Sequence, residues 1–327
     1  MTYEEFTEEL NKNIVNIINP KVYIEIIRKD NNLSRFDIMN KIAICTMTNG
    51  ESLYDLKTAK EWMLCNRKVI DKSKKIYVAI PKYDKCYIDS ETLARVDISE
   101  FTQEELKKAI ELKIVKKEQN IRSIDVVTVY DIRNTSKIDK NIEYNVVKPK
   151  ISIDALVNIM KNYMKLDIVI GEDSTYYSKS SGKLFIAKNT YEIMIQELVD
   201  ILIKHVLDDR LQDYIKGYIN NTERKFNKLE LELLKESLRF AILSVFKDSD
   251  ESRLLFELRK NYVNDYEDII DIITICDAIT FDICSFLEYT DGSNMKDAVS
   301  NIELIRKSEN LLNILQANSI LNKMKGV

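Results

Sequence analysis

The sequence predicts an α+β fold, on three observations. Apolar residues recur at helical spacing, first over 3–18 and then almost continuously after 226. Three runs switch to the β-branched pattern of strands, at 75–80, 125–130 and 166–170. The 327 residues are 45% hydrophobic and 31% charged, enough for roughly two domains with buried cores.

The elements follow in order. Phe6, Leu10, Ile14, Ile17 and Ile18 share one side of a first helix, which Asn19-Pro20 ends. A second helix spans about 21–30. A third, capped by Asn32 or Ser34, carries Phe36, Met39, Ile42 and Ala43. Asn49-Gly50 marks a turn, and a short helix over 56–65 places Trp62 on its apolar face. The strand Lys75–Ile80 is expected to stop at Pro81, with Tyr83–Ile88 returning as its hairpin partner. Thr102 and Glu105 form a capping box that opens a helix inserted before the next strand, Asp125–Tyr130. Residues 133–150, ending in Lys148-Pro149-Lys150, read as a linker. A helix over 153–165, a strand over 166–170 and a hairpin (174–178 and 183–187 around Lys179–Gly182) follow. A long helix, capped by Asn189 or Thr190, runs to about 207. Further helices are expected at 228–246, 250–262, 265–288 and 296–324, with a turn at Asp291-Gly292.

Composition narrows the class. No run of 18 apolar residues is present, and the acidic, amphipathic first ten residues are unlike a signal peptide, so a soluble cytoplasmic protein is expected. The five cysteines form no CxxC pair and read as buried thiols in a reducing compartment. His205 is the one histidine, which leaves a cysteine nucleophile little to work with. Net charge is −4 overall, but −4 over residues 1–10, +7 over 11–150 and −7 over 151–327. A basic segment inside an acidic chain points to a localised anionic partner. Abundant Lys, Ile and Asn with 6 Gly and 3 Pro is the usage of AT-rich bacterial genomes, their phages and mobile elements.

Two constellations are candidates for chemistry. Between 60 and 77, Lys60, Arg67, Lys68, Lys72, Lys74 and Lys75 interleave with Trp62 and Tyr77. Single-strand binders combine a cationic groove for phosphates with aromatic faces for bases. Tyr77 alternates with Ile76 and Val78 and so faces away from them, which suits stacking; Trp62 reads either as a stacking face or as core. Arg35 and Arg133 complete the candidate binding set. Asp131 beside Thr135 reads as a turn cap. The second constellation is Gln196-Glu-Leu-Val-Asp200 on the long helix. Two histidines at that spacing, with the glutamate between, would bind zinc and activate its water. Here Gln196 and Asp200 hold the ligand positions and only Glu197 is in place. His205, nine positions beyond Gln196, points about 180° away. Glu230, Glu232 and Glu236 read as a solvated face, and Tyr176 and Tyr177 as a hairpin edge able to pair with an extended peptide.

The residue order of the first constellation resembles the N-terminal domain of ArdC-like antirestriction proteins: Trp62, Arg67, Val69, Lys74, Ile76 and Val78 leading to Pro81, then Val129-Tyr-Asp131-Ile-Arg-Asn-Thr135. The helix–strand–hairpin–helix order around Gln196 resembles the metallopeptidase domain of those proteins and of the ImmA/IrrE group. The sequence departs from that pattern at Asp71, Ser73, Arg133, Asn134 and both histidine positions. The resemblance implies a single-strand-binding-like domain over 1–147, then a degenerate zincin-like, mostly helical domain over 151–327. It also implies binding of single-stranded DNA and protection of incoming DNA, with hydrolysis lost: a pseudoenzyme with no catalytic residue, metal or cofactor. Two alternatives remain, a regulator that binds protein through 151–327 and a residual metal-dependent hydrolase built on Glu197, Asp200 and the glutamates at 230–236.

Overall fold

The computed structural model describes residues 1–29, 33, 36–91, 96, 97, 99, 101–138, 153–165, 167–178, 180–219, 223–246, 251–260 and 266–284. Helix and sheet are mixed as expected. Arg35, Lys148-Pro149-Lys150, the turn at Asp291-Gly292 and the helix expected over 296–324 lie outside the described residues.

Helix α1 (Tyr3–Asn13) starts on a Thr2/Glu5 capping box, tightens into a 3₁₀ turn (Ile14–Ile18) and is followed by α2 (Pro20–Ile27). Helix α3 (Ile38–Met47) is capped by Asp37, not by Asn32 or Ser34; its carboxylate accepts from the Asn40 N–H at 3.0 Å. A cap must sit next to the first helical residue, and the helix starts later than the sequence reading placed it. Asn49 and Gly50 both take positive φ, 53° and 68°. A Cβ on Gly50 would approach the backbone of Lys21 and Val22 to 2.8 Å, so glycine is required there by space as well as conformation.

Strand β1 (Leu56–Lys57) and helix α4 (Ala59–Leu64) lead into β2 (Arg67–Val69) and β3 (Ile76–Asp89). Strand β3 passes straight through Pro81, so Tyr83–Ile88 continues the strand and does not return along it. Its partner is β4 (Val115–Asp131), antiparallel from Ile76↔Val129 to Asp89↔Val115, with a register shift between Lys82 and Tyr83. Proline is tolerated because β3 is an edge strand in the order β1-β4-β3 and Pro81 has no N–H to leave unpaired. The other side of β3 is partly closed by buried Asn40, whose amide donates to the Ala79 carbonyl and accepts from the Ala79 N–H, each at 2.8 Å. Helix α5 (Gln103–Glu111) sits between β3 and β4 on the expected Thr102/Glu105 box. A 3₁₀ turn (Ile132–Asn134) and β5 (Thr135–Lys137) follow, β5 pairing with β2. The expected linker therefore begins later than 133.

The remainder holds α6 (Ile153–Met164), β6 (Asp167–Glu172), β7 (Tyr176–Ser178) and β8 (Lys183–Ala187), with β8 central, parallel to β6 and antiparallel to β7. Helices α7 (Tyr191–Asp209), α8 (Leu211–Tyr218), α9 (Lys228–Val245), α10 (Glu251–Lys260) and α11 (Tyr266–Cys284) complete the described chain. Helix α8 was not expected.

One cluster of buried side chains runs from Phe6 to Cys284. Helix α9 is buried on every side from Ser237 to Val245, as a helix enclosed by others is, and α2 packs on it. Tyr23 Oη and Ser237 Oγ share a 2.7 Å hydrogen bond, and the Lys29 N–H donates to Ser244 Oγ at 3.0 Å. Arg28 reaches Glu251 at 2.8 Å and lies over the Phe240 ring. Two buried ammonium groups, Lys29 after α2 and Lys41 in α3, both contact Asp277 Oδ1 of α11 at 2.5 Å. Whatever boundary divides the chain near 147–151, the two sides share a core and buried charges.

Candidate nucleic-acid interface

Helix α4 stands on a second capping box (Thr58/Glu61), which aims Trp62 inward. Trp62 is fully buried, and its indole N–H donates to the Tyr130 carbonyl at 2.8 Å. No ring face is left for a base, so Trp62 is corrected from a stacking residue to a core residue. Helix α4 ends at Leu64 with Cys65 as its C-cap, and Asn66, with φ 57°, turns the chain into β2.

Strand β2 pairs with β5 through Arg67↔Lys137, Lys68↔Ser136 and Val69↔Thr135. Alternation separates the two faces of this ribbon. On one, Arg67 is held to Thr135, its Nε donating to Oγ1 at 2.7 Å and its Nη2 to the carbonyl at 3.3 Å. Arg67 therefore spends much of its hydrogen bonding on the ribbon itself. On the other, Lys68 is exposed. The turn after β2 is held by Asp71, which accepts from the Ser73 N–H at 2.9 Å and the Ser73 hydroxyl at 2.6 Å. Those bonds favour the ionised form and hold the Asp71 carboxyl below its usual range. Lys72, Lys74 and Lys75 are exposed around it. The Lys75 ammonium lies 5.4 Å from the Tyr77 ring centroid, and a hydrogen bond with Tyr77 raises its pKa.

Tyr77 is half-buried and packed against the core, so one edge at most is open. Arg133 is engaged by two carboxylates, Asp131 at 2.7 Å and Glu51 at 3.2 Å, and stacks over Tyr54. Asp131, fully buried, accepts from the Arg133 and Tyr54 N–H groups, each at 2.8 Å, as a turn cap should. Lys60 on α4 is exposed, as the sequence set requires, and one further exposed lysine joins the set through the fold, Lys137 on β5. Lys137 was missed because only the β2–β5 pairing brings it beside Arg67; the −Thr-Ser-Lys− string alone reads as loop.

At the second constellation, Gln196 and Asp200 face α9. Arg239, only 8% exposed along its side chain, donates to Asp200 Oδ1 at 2.9 Å and to Gln196 Oε1 at 3.4 Å. The remaining glutamate, Glu197, accepts from the Thr175 hydroxyl at 2.9 Å. An amide oxygen and one carboxylate already bonded to a guanidinium do not fit a zinc ion, since the fixed positive charge opposes a second cation. His205 pairs with Asp209 at 2.7 Å, one turn along its own helix. The glutamates of α9 are not a uniform solvated face. Glu230 is buried, caps its own helix and pairs with Arg224 at 3.0 Å; Glu236 is half-buried, which raises its pKa; Glu232 is exposed enough to meet Lys235. Their positions differ because α9 is enclosed on most sides. Tyr176 and Tyr177 are 46% and 51% exposed, with Tyr176 stacked on Phe185 at 4.8 Å.

Among the described residues no group of three His, Cys, Asp or Glu is placed to hold a metal ion, and no helix is long and apolar enough to cross a membrane. No protein-family model and no curated protein matches the chain. Among solved structures it is similar to the antirestriction protein ArdC from plasmid R388. The metal-free crystal structure of that protein shares 11% identity over 76% of this chain and 84% of that one, with a TM-score of 0.39. Its Mn(II)-bound structure shares 11% identity over 85% and 96%, with a TM-score of 0.38.

Proposed function

We propose that this chain is a non-catalytic protein that binds single-stranded nucleic acid through α4, the β2–β5 ribbon and the turn between β2 and β3. The observation that carries the reading is the set of exposed lysines at 60, 68, 72, 74, 75 and 137 on those adjoining elements. Among the described residues Lys60, Lys68 and Lys72 form no ion pair, so they are available to phosphates. The sequence resemblance of Trp62–Pro81 and Val129–Thr135 is the ground for proposing single-stranded DNA as the polymer and protection of incoming DNA as the process. The non-catalytic half rests on Arg239, which already engages both side chains at the positions where a peptidase of this type would need histidines.

The test is a titration of labelled single-stranded DNA, duplex DNA and RNA at two salt concentrations, with Lys68→Ala/Lys72→Ala/Lys74→Ala as the comparison. Removing three phosphate contacts should lower the slope of log affinity against log salt by about 2, at roughly 0.7 per contact on single strands. Affinity at low salt should fall at least tenfold. An unchanged slope would remove this surface from the interface. The exposed edge at β7, with Tyr176 and Tyr177, favours a second reading in which an extended peptide adds to that edge. Tyr176→Asp/Tyr177→Asp should then abolish capture of a partner protein by the full chain, and undiminished capture would dismiss it.

A further inference from the structure

The nucleic-acid reading explains the lysines but leaves an apolar surface among them without a role. Four large aliphatic side chains are strongly exposed here: Met63 at 65%, Leu64 at 81%, Ile70 at 61% and Ile138 at 55%. They are not scattered. Met63 and Leu64 end α4, four and three residues before β2. The Ile138 N–H donates to the Asn66 carbonyl and the Ile70 N–H to the Asn134 carbonyl, each at 2.9 Å, so both isoleucines extend the β2–β5 ladder by one step at opposite ends. By alternation Ile70, Lys68, Ser136 and Ile138 lie on one face of the ribbon, away from Arg67 and Thr135. An aliphatic row is thus interrupted at its middle by a lysine and continued by the cationic turn at 72–75.

An exposed apolar patch rimmed by polar residues marks an interaction surface. Its charge selects the occupant. The adjoining exposed side chains at 60, 68, 72, 74 and 75 are all cationic, against Glu61 and the turn-holding Asp71. The partner must therefore be anionic along its length and apolar between its charges. A single-stranded nucleic acid has that construction, with phosphates on the outside and unstacked bases able to turn flat faces to the protein. Buried Trp62 has no part in it.

Resting on the nucleic-acid reading, we infer that Leu64, Ile70 and Ile138, with Met63 beside them, form the platform on which the unstacked bases of the bound strand lie, while the lysines hold its phosphates.

The test uses the full chain and two labelled probes of equal charge, an oligothymidylate of about 20 nucleotides and an abasic strand of the same length, compared by fluorescence anisotropy. The wild type should bind the thymidylate roughly tenfold more tightly than the abasic strand, the worth of one or two well-covered aliphatic groups. Leu64→Ser/Ile70→Ser/Ile138→Ser should lose that preference, keeping its affinity for the abasic strand and its salt slope. Leu64→Ser alone, at the most exposed of the four, guards against misfolding of the triple variant and should lose part of the preference. Equal binding of both probes by the wild type would overturn the platform and leave the phosphate contacts standing. Binding of neither probe would remove both readings. Preferential binding to vesicles of phosphatidylserine and phosphatidylcholine, lost in the serine variant, would assign the patch to a lipid surface and overturn the inference.

Discussion

Replacing Asp277 by asparagine is expected to cost about 3–5 kcal/mol of stability, the range for removing one partner of a buried ion pair. The site carries more charge than a pair. Lys29 and Lys41 are 2% and 3% exposed and share one carboxylate oxygen of Asp277, itself 21% exposed. Without that carboxylate two ammonium groups are left facing each other away from water. The same geometry gives the two lysines opposite responses. Lys29 is desolvated, but Asp277 more than offsets this and its pKa is raised; Lys41 is desolvated beside the Lys29 charge, and its pKa falls to about 8. Between about pH 8 and 10.5 the unfolded chain keeps a proton on Lys41 that the folded chain has released, so the contribution of this group to stability rises with pH across that window. Groups around it oppose the trend. Burial pushes the Cys276 and Cys284 thiols up to about 12 and raises Cys45 as well, so above pH 9 the unfolded chain ionises thiols that the folded chain cannot. Asp37, which lies in the field of Lys41, is itself raised by burial. The Lys41 contribution is therefore isolated by difference. In urea titrations at several pH values, the stability of Lys41→Met relative to wild type should fall as pH rises from 8 to 10.5. A parallel pair of curves would mean that Lys41 is not neutralised by folding, and an Asp277→Asn protein as stable as wild type would mean that the triad is solvated.

A chain cut after residue 150 is expected to lose its cooperative thermal transition. Val22, Tyr23 and Ile26 of α2 are completely buried, and α2 packs on α9 and α11. Each large apolar side chain returned to water costs about 1.5–3 kcal/mol, against a total stability of about 5–15 kcal/mol for a domain. The cut also removes Ser237 from the Tyr23 hydroxyl and Asp277 from the Lys29 ammonium, and takes Glu251 from Arg28, which keeps its contact with Glu25. Circular dichroism and a thermal melt of residues 1–150 would decide it. A sharp melt with the single-strand affinity of the full chain would show that the first half folds alone and that the shared core is dispensable. Until then, binding experiments belong on the full chain.

What was legible in the sequence was local. The Thr102/Glu105 capping box sets a helix start through contacts three residues apart, and Asn49-Gly50 sets a turn through backbone conformation alone. The exposed lysines between 68 and 75 were legible for the same reason, as were strand segments at 76–80, 125–130, 167–170 and 183–187, but neither strand of the β2–β5 ribbon. The errors arose where a distant partner decides. Pro81 reads as a strand terminator until β3 proves to be an edge, where a missing N–H has no acceptor waiting. Trp62 reads either as a base-stacking ring or as core until Tyr130 supplies the acceptor for its indole N–H. Arg67 and Arg133 read as free cations until Thr135, Asp131 and Glu51 are brought to them.

By itself the sequence determined the α+β class, the helix start at Thr102, the cationic turn and the absence of two imidazoles at 196 and 200, because each depends on residue identity within a few positions. Tertiary structure alone decided that Arg239 engages Gln196 and Asp200, that Lys137, Ile70 and Ile138 join one ribbon, and that Lys29 and Lys41 meet over Asp277. Those contacts join residues tens to hundreds of positions apart, and only the buried core that closes the chain on itself determines which distant side chains become neighbours.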